Sequence, residues 1–310
     1  MWPRDTRTEE EIYTEIAEGM ISKFKVLLPE CGEGADFIAD EIFAAKRDSD
    51  KAVHCFFSPS KSNGWVPCPA YLDRAKQWEG TKEPAIRGTI VHHFLSRAIG
   101  YLKANKYSRQ FDWTTALVFQ NPDWLSEPGV DSALALLKKV IELGTDGVLS
   151  EVFILSDDLG MPNKNLRFGG SIDVLHIKER KDDDGTKYGE VHIYDLKTGK
   201  NSVSPDSWQL KCYALLVRDW LAKTRGFAYC NFTLGISQDG IIKESPFTNL
   251  QRQAEEFMAI KRAMKIYSDV YLANDLNVAV NDEKDREFQL CFNPCPYCRF
   301  CRGCFKRDGV

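Results

Sequence analysis

The sequence predicts an α/β (α+β) fold in which a mixed central sheet is flanked by helices around one core. The first observation behind this prediction is the order of apolar patterns along the chain: helices, three strands, a helix, two strands and a helix. The second is an ordinary globular composition, with 43% hydrophobic and 28% charged residues in a chain of 310. A chain of this length buries a substantial core.

The composition also indicates where the protein works. No apolar run approaches the roughly 18 residues of a membrane-spanning helix. The N-terminus is charged and lacks the apolar segment of a secretion signal. We therefore expect an intracellular, cytoplasmic protein with no membrane contact. The net charge of −4 argues against a protein that coats nucleic acid, although an enzyme with a local basic groove is compatible with it.

The first predicted elements are helices. Residues 8–48 carry apolar residues at helical spacing, with an interruption at Pro29 and the glycines that follow it. Residues 88–102 form an amphipathic pattern with one apolar stripe. A further helix is predicted over residues 132–143, ended by Gly144.

The second half of the chain alternates strands with helices. Helices are predicted over residues 205–220, with a proline near the start, and over about 250–272. A polar, charged hairpin loop is predicted over residues 178–188, between the second and third strands. The predicted strands are 151–155, 167–177, 190–197, 227–236 and 240–245.

Asp195 and Lys197 lie at the end of the third predicted strand. Side chains two residues apart on a strand point to the same side. A carboxylate and an ammonium placed in this way are able to hold a divalent metal and steer a water, the minimum requirement for metal-assisted hydrolysis of a phosphodiester. An exposed surface ion pair is the alternative interpretation of the same two residues.

Two further residues are candidate metal ligands. Asp173 lies on the preceding strand between two β-branched apolar residues, a setting in which aspartate is uncommon. Adjacent strands place such carboxylates within reach of one metal. His92 flanks the apolar stripe of helix 88–102, where a neutral imidazole would complete a carboxylate site. His93 is its rival, but it lies opposite the stripe and is expected to face solvent.

Gln209 and Tyr213 lie four residues apart on the helix predicted after the third strand, so they share one face. Both side chains are able to hydrogen-bond a phosphate, the strand lysine or a carboxylate. An ordinary helix flank is the alternative interpretation of this pair.

Four short motifs follow one another along the chain: Gly88-x-x-x-His92, Gly170-x-x-Asp173, Asp195-x-Lys197 and Gln209-x-x-x-Tyr213. In this order and spacing they resemble the RecB-like branch of the PD-(D/E)XK nucleases, over roughly residues 58–304. The resemblance implies a restriction-endonuclease-like core. Many relatives carry glutamate at the position of Asp195, and either carboxylate serves.

The resemblance also implies a role for each site residue. His92, Asp173 and Asp195 would bind Mg²⁺ or Mn²⁺, and Lys197 would position the attacking water. Gln209 and Tyr213 would complete the catalytic group from their helix. Glu151, on the strand before Asp173, is a candidate auxiliary acid.

The chain has ten cysteines, which is many for a reducing compartment, where disulfides are rare. Five of them lie in the last twenty residues: Cys291, Cys295, Cys298, Cys301 and Cys304. Thiols this dense indicate a metal or iron–sulfur centre, with zinc as the rival to iron.

The resemblance favours a 4Fe–4S cluster, because one RecB-like subgroup carries such a cluster on one upstream cysteine and three downstream ones. Cys68 stands at the upstream position, and Cys295, Cys298 and Cys304 have the downstream spacing. Cys301 is an alternative ligand to Cys304, because it continues a ferredoxin-like Cys-x2-Cys-x2-Cys run.

Such a cluster would join the two ends of the chain around the nuclease core. This gives three expected parts, which are an N-terminal helical region (1–57), a nuclease core (58–290) and a C-terminal cysteine segment (291–310) closed by Cys68.

The function expected from the resemblance is a metal-dependent DNA exonuclease. Its substrates would be single strands or duplex ends, in phage recombination or replication or in CRISPR adaptation, in a bacterial, archaeal or phage-infected cell. A recombination or CRISPR-adaptation protein and a second copy of the chain are the expected protein partners. The alternative is a non-catalytic iron–sulfur or zinc module that binds DNA or a partner.

The cysteine pattern predicts a brown protein with thiolate-to-iron absorption at about 400 nm. Anaerobic purification followed by an absorption spectrum and iron and sulfide determination measures this. A colourless protein with stoichiometric zinc would contradict the iron–sulfur assignment.

Overall fold

The computed structural model describes residues 57–67, 82–104, 129–156, 167–199 and 202–273, together with Thr8 and Glu11. The helices predicted within residues 8–48 lie outside these ranges apart from those two residues. Cys68 and the C-terminal cysteines also lie outside them. In the described part of the chain, none of the helices combines the length and apolarity needed to cross a membrane.

Within the described ranges, five strands form one mixed sheet with the spatial order β1-β2-β3-β4-β5. Only β3 and β4 are parallel, and the other neighbours are antiparallel. A parallel pair requires a crossover, which the helix between β3 and β4 provides. The strands are β1 (Val148–Ser156), β2 (Phe168–Lys181), β3 (Lys187–Lys197), β4 (Tyr229–Gln238) and β5 (Ile241–Phe247).

The sheet with flanking helices confirms the predicted order of three strands, a helix, two strands and a helix. A 3-10 turn (Pro59–Lys61) leads into the first of the helices. The helices are α1 (Ser62–Trp65), α2 (Lys82–Ala104), α3 (Val130–Leu143), α4 (Trp208–Arg225) and α5 (Leu250–Ala273).

The main core lies between one face of the sheet and helices α4 and α5. Val191 and Ile193 of β3 are fully buried there against α4, whose own apolar residues are buried along most of its length. Segment 57–66 closes the same core, with the rings of Phe57 and Trp65 5.3 Å apart. This packing anchors the helix that carries Gln209.

Helix α3 packs over β3, β4 and β5 on the other face. Lys139 of α3 pairs with Glu244 of β5 at 3.1 Å, and Glu244 also accepts a hydrogen bond from the Tyr194 hydroxyl. The Ser237 hydroxyl donates to the backbone carbonyl of Ser132 at 2.7 Å. Polar contacts on this face therefore join α3 to β4 and β5.

The loop between β2 and β3 is shorter than the sequence predicts. The prediction of a loop over residues 178–188 is wrong at both ends, because β2 continues to Lys181 and β3 begins at Lys187. Ion pairs join the two strands across this exposed ribbon, from Arg180 to Glu190 at 2.8 Å and from Lys187 to Glu179 at 3.1 Å. Charged residues that suggest a loop are here cross-strand partners.

Strand β1 breaks its alternation of faces in the middle. Leu149 and Val152 both pack against the main core although they are three residues apart, which a regular strand would place on opposite faces. Between them, Glu151 adopts a left-handed backbone conformation with φ of 48°.

The same break occurs opposite, in β2. Ile172 and Leu175 are both buried in the main core at a spacing of three. The flanking register, Ser150 with Val174 and Val152 with Ile172, places Glu151 across from Asp173. Glu151 and Asp173 thus lie at the point where the regular alternation of side chains between the two faces of the sheet is broken in both strands.

His176 on β2 is fully buried beside His192 on β3, with ring centroids 5.6 Å apart. Burial, followed by the charges of Lys178 and His192, lowers the pKa of His176 from 6.5 to about 4. At a pH between about 4 and 6.5, His176 is therefore protonated more often in the unfolded chain than in the native protein. The native state therefore loses stability as the pH falls through this window.

We expect this histidine alone to remove about 3 kcal/mol from the free energy of unfolding as the pH falls from 6.5 to 4. Urea denaturation across this range, with the parent protein and His176→Leu compared at each pH, measures the effect. The variant should show the shallower decline, and equal declines would contradict a buried neutral His176.

Candidate active site

The site lies where β2 and β3 separate. Their pairing ends at Val174 with Tyr194, so the end of β3 no longer faces a β2 backbone partner. The backbone N–H of Leu196 donates instead to the Asp173 carboxylate, with Leu196 N and Asp173 Oδ2 2.6 Å apart. Asp173 is buried, and this bond holds its carboxylate in the opening.

Helix α2 brings His92 to the opening. A Cβ atom on Gly88 would lie 3.0 Å from Thr198 Oγ1, so glycine at this position allows α2 to approach the end of β3 closely. One turn later, His92 Nδ1 lies 3.0 Å from Asp173 Oδ1. This contact gives a structural reason for the Gly88-x-x-x-His92 spacing.

Glu151 reaches the same place from β1. Its Oε1 lies 3.6 Å from His92 Nδ1, and its Oε2 accepts a hydrogen bond from the Ser171 hydroxyl at 3.1 Å. His92, Glu151 and Asp173 each offer one ligand atom, and these atoms lie within 4.8 Å of one another. Two carboxylates and an imidazole suit Mg²⁺ or Mn²⁺.

The electrostatics of this cluster also fit a cation. Burial lowers the pKa of His92, but the carboxylates of Asp173 and Glu151 outweigh it and hold the pKa well above its usual value. The negative potential that retains a proton on His92 is the same potential that attracts a divalent ion.

Asp195, Lys197 and Gln209 form a closed triangle beside the cluster. Lys197 Nζ lies 2.7 Å from Asp195 Oδ2 and donates to Gln209 Oε1 at 2.9 Å. Gln209 Nε2 donates to Asp195 Oδ1 at 2.7 Å. Asp195 and Gln209 are buried, whereas Lys197 keeps a quarter of its side chain exposed. The Lys197 side chain therefore borders solvent, while Asp195 and Gln209 fix the orientation of its ammonium.

Burial and the nearby charges shift the pKa values of two further groups. Burial, then the charge of Asp173, raises the pKa of Asp195, and Lys197 acts in the opposite direction. Burial, then the charges of Asp195 and Asp173, raises the pKa of Tyr213. The Tyr213 phenol is consequently protonated at neutral pH and available as a hydrogen-bond donor.

Gly170 lies in contact with Tyr213. A Cβ atom on Gly170 would come within 2.9 Å of Pro59 Cδ and 3.4 Å of Tyr213 Cε1. A glycine here allows the segment around Pro59 and helix α4 to close over β2. The second motif glycine thus has a packing reason, like the first.

The structure brings all six sequence-predicted residues of the nuclease motifs to one place. Its three-ligand group contains Glu151 with His92 and Asp173, whereas the Asp195 carboxylate is held by Lys197 and Gln209. From the sequence, Glu151 is expected to have only an auxiliary role. A glutamate in an apolar strand was the available indication, but its left-handed backbone and its position opposite Asp173 were not visible in the sequence.

A half-buried histidine and acids beside a strand lysine, where two strands of a mixed sheet separate, are typical of a metal-dependent hydrolase. This chain belongs to the PD-(D/E)XK nuclease superfamily, which matches it over residues 57–304. It is thus a member of a superfamily of metal-dependent nucleases that act on DNA. No curated protein matches the chain.

Glu151→Gln should weaken Mn²⁺ binding by about tenfold or more, because it removes the charge of one carboxylate from the three-ligand cluster. Electron paramagnetic resonance titration of free Mn²⁺ measures the dissociation constant. Glu255→Gln is the matched control, because Glu255 is exposed on α5 and contacts Gln251. Equal Mn²⁺ affinity of both variants would remove Glu151 from the ligand set.

Proposed function

We propose that this protein is a Mg²⁺- or Mn²⁺-dependent exonuclease that hydrolyses DNA from single strands or duplex ends. The observation that carries the proposal is the Asp195–Lys197–Gln209 triangle beside the His92–Asp173 contact. Together these contacts place candidate metal ligands and an oriented ammonium at the point where β2 and β3 separate.

The proposed ligands are His92, Asp173 and Asp195, with Glu151 added from the cluster geometry. When bound there, a divalent ion would neutralise phosphate charge and lower the pKa of a water. The acids are supported in place by Ser171 for Glu151 and by the Leu196 N–H for Asp173. These contacts orient two carboxylates that repel one another, and a bound cation would offset that repulsion.

Lys197 is the proposed positioning group for the attacking water and for the charge that develops on the phosphate oxygens. Its ammonium donates to Gln209 and pairs with Asp195, which leaves donor capacity for a third partner. A positive charge already positioned where negative charge develops lowers the activation barrier, because the site does not have to reorganise during the reaction. Gln209 sets the direction of Lys197 from α4.

We further propose membership of the RecB-like iron–sulfur branch, with a 4Fe–4S cluster on Cys68, Cys295, Cys298 and either Cys304 or Cys301. The support is the cysteine spacing in the sequence. On this proposal the protein works in phage recombination or CRISPR adaptation, with a protein of that system or a second copy as partner.

Lys197→Ala should lower the cleavage rate by about a hundredfold or more while DNA binding changes little, because the ammonium acts mainly in the transition state. Purified protein with Mn²⁺ is assayed on 5′- and 3′-labelled single- and double-stranded DNA. The label that is released first gives the polarity, and a ladder of shortened products indicates exonuclease action.

Two variants complete this experiment. Asp195→Ala should also abolish cleavage, whereas Lys187→Ala should cleave like the parent because Lys187 lies at the opposite end of β3 and pairs with Glu179. Parent-like cleavage by Lys197→Ala would refute the assigned role. A parent protein no more active than Asp195→Ala would refute the nuclease proposal for this chain.

A further inference from the structure

Phe153 on β1 is an exposed aromatic side chain next to the acid cluster. It keeps 43% of its surface accessible, although its neighbours Val152 and Ile154 pack against the main core. Among the residues that the structure describes, it has no aromatic ring contact. An exposed phenylalanine leaves a large apolar surface in water, which costs hydrophobic free energy that a bound aromatic ring would recover.

The strand register places Phe153 beside the candidate metal ligands. Phe153 pairs directly with Ser171 of β2, so the two side chains lie on the same face. The Ser171 hydroxyl donates to Glu151, whose carboxylate belongs to the three-ligand cluster. Phe153 lies two positions after Glu151 on the strand, a rise of about 7 Å.

Helix α2 explains why this face is open at Phe153. After His92, the helix continues past Ser150, whose hydroxyl is 3.2 Å from that of Ser96. It then reaches Val148, whose carbonyl accepts a hydrogen bond from Lys103 Nζ at 2.7 Å. The helix therefore covers the part of β1 that precedes Glu151, whereas Phe153 follows Glu151.

We propose that Phe153 is a stacking platform for one nucleobase of the strand being cleaved, next to the scissile phosphate. This inference rests on the proposed nuclease function and names a substrate class for it. A phosphate bound through a divalent ion at the acid cluster would bring the adjoining base to the open face on which the phenyl ring lies. Base–aromatic stacking tolerates any sequence, because every base has a π-face.

Stacking on Phe153 requires a base with one free face. A base inside a duplex is covered on both sides by its neighbours, so it must be unstacked before it reaches the ring. Phe153 therefore favours a single strand or a frayed strand end over continuous duplex. Phe153 is a positioning residue for substrate and takes no part in the chemical step.

The test measures binding and cleavage separately with the full-length protein. Anisotropy of a labelled single-stranded oligonucleotide, with Ca²⁺ in place of Mn²⁺ as an oxygen-seeking divalent ion, gives Kd. Mn²⁺-dependent cleavage gives KM and kcat. Phe153→Ala should raise Kd and KM by roughly 5- to 150-fold with little change in kcat. Phe153→Trp should restore both values. Ile241→Ala, which alters an exposed apolar residue on β5 at the other edge of the sheet, should change neither.

Oligonucleotides with one abasic nucleotide at successive positions identify the stacked base. At one position the abasic substitution should weaken parent binding about as much as Phe153→Ala does, and should cause no further loss in that variant. Parent-like binding by Phe153→Ala, or an equal abasic loss in both proteins at every position, would overturn the inference.

The outcomes also separate this inference from the proposed function. A parent that cleaves DNA while Phe153→Ala shows parent-like Kd and KM keeps the nuclease and removes the stacking platform. A parent that binds through Phe153 but cleaves no faster than Asp195→Ala keeps the platform and removes the nuclease proposal.

Discussion

The carboxylate of Asp173 is the contact on which the site depends. Past Val174 and Tyr194 the two central strands separate, and the Leu196 N–H would be left without a β2 acceptor. Asp173 accepts that hydrogen bond with one oxygen and meets His92 with the other. A buried backbone donor left unpaired costs free energy, so the opening of the sheet and the position of the acid stabilise each other. The acid is thus both a structural tie and a candidate metal ligand.

The two halves of the site differ in how their charge is balanced. Asp195 pairs with Lys197 and is oriented by Gln209, so its charge is offset by a cation of the protein itself. Glu151 and Asp173 share one histidine between two acids, which leaves that side short of positive charge. A bound divalent cation, as proposed, would supply the missing positive charge on the second side. Helix α4, packed in the main core, keeps the lysine side rigid.

The sequence predicted most elements of the fold because their apolar periodicity is local. Its error in the β2–β3 hairpin arose from charged residues such as Arg180 and Glu190, which pair across strands instead of forming a loop. Residues of the site were predictable where a motif spacing reflects a contact. Gly88 and Gly170 are examples, since each gives room for a neighbouring side chain. Glu151 was harder, because its importance depends on a left-handed backbone in the middle of a strand.

The amino-acid sequence was sufficient for the order of helices and strands and for the residue types of a metal-dependent nuclease, since period and motif spacing are properties of the chain alone. Asp195 and Lys197 are neighbours on one strand, so their pairing needed no other element. The grouping of His92, Glu151 and Asp173 required the tertiary structure, because it joins a helix and two strands through register and a break in strand alternation. The exposure of Phe153 likewise depended on where α2 runs, which no local pattern specifies.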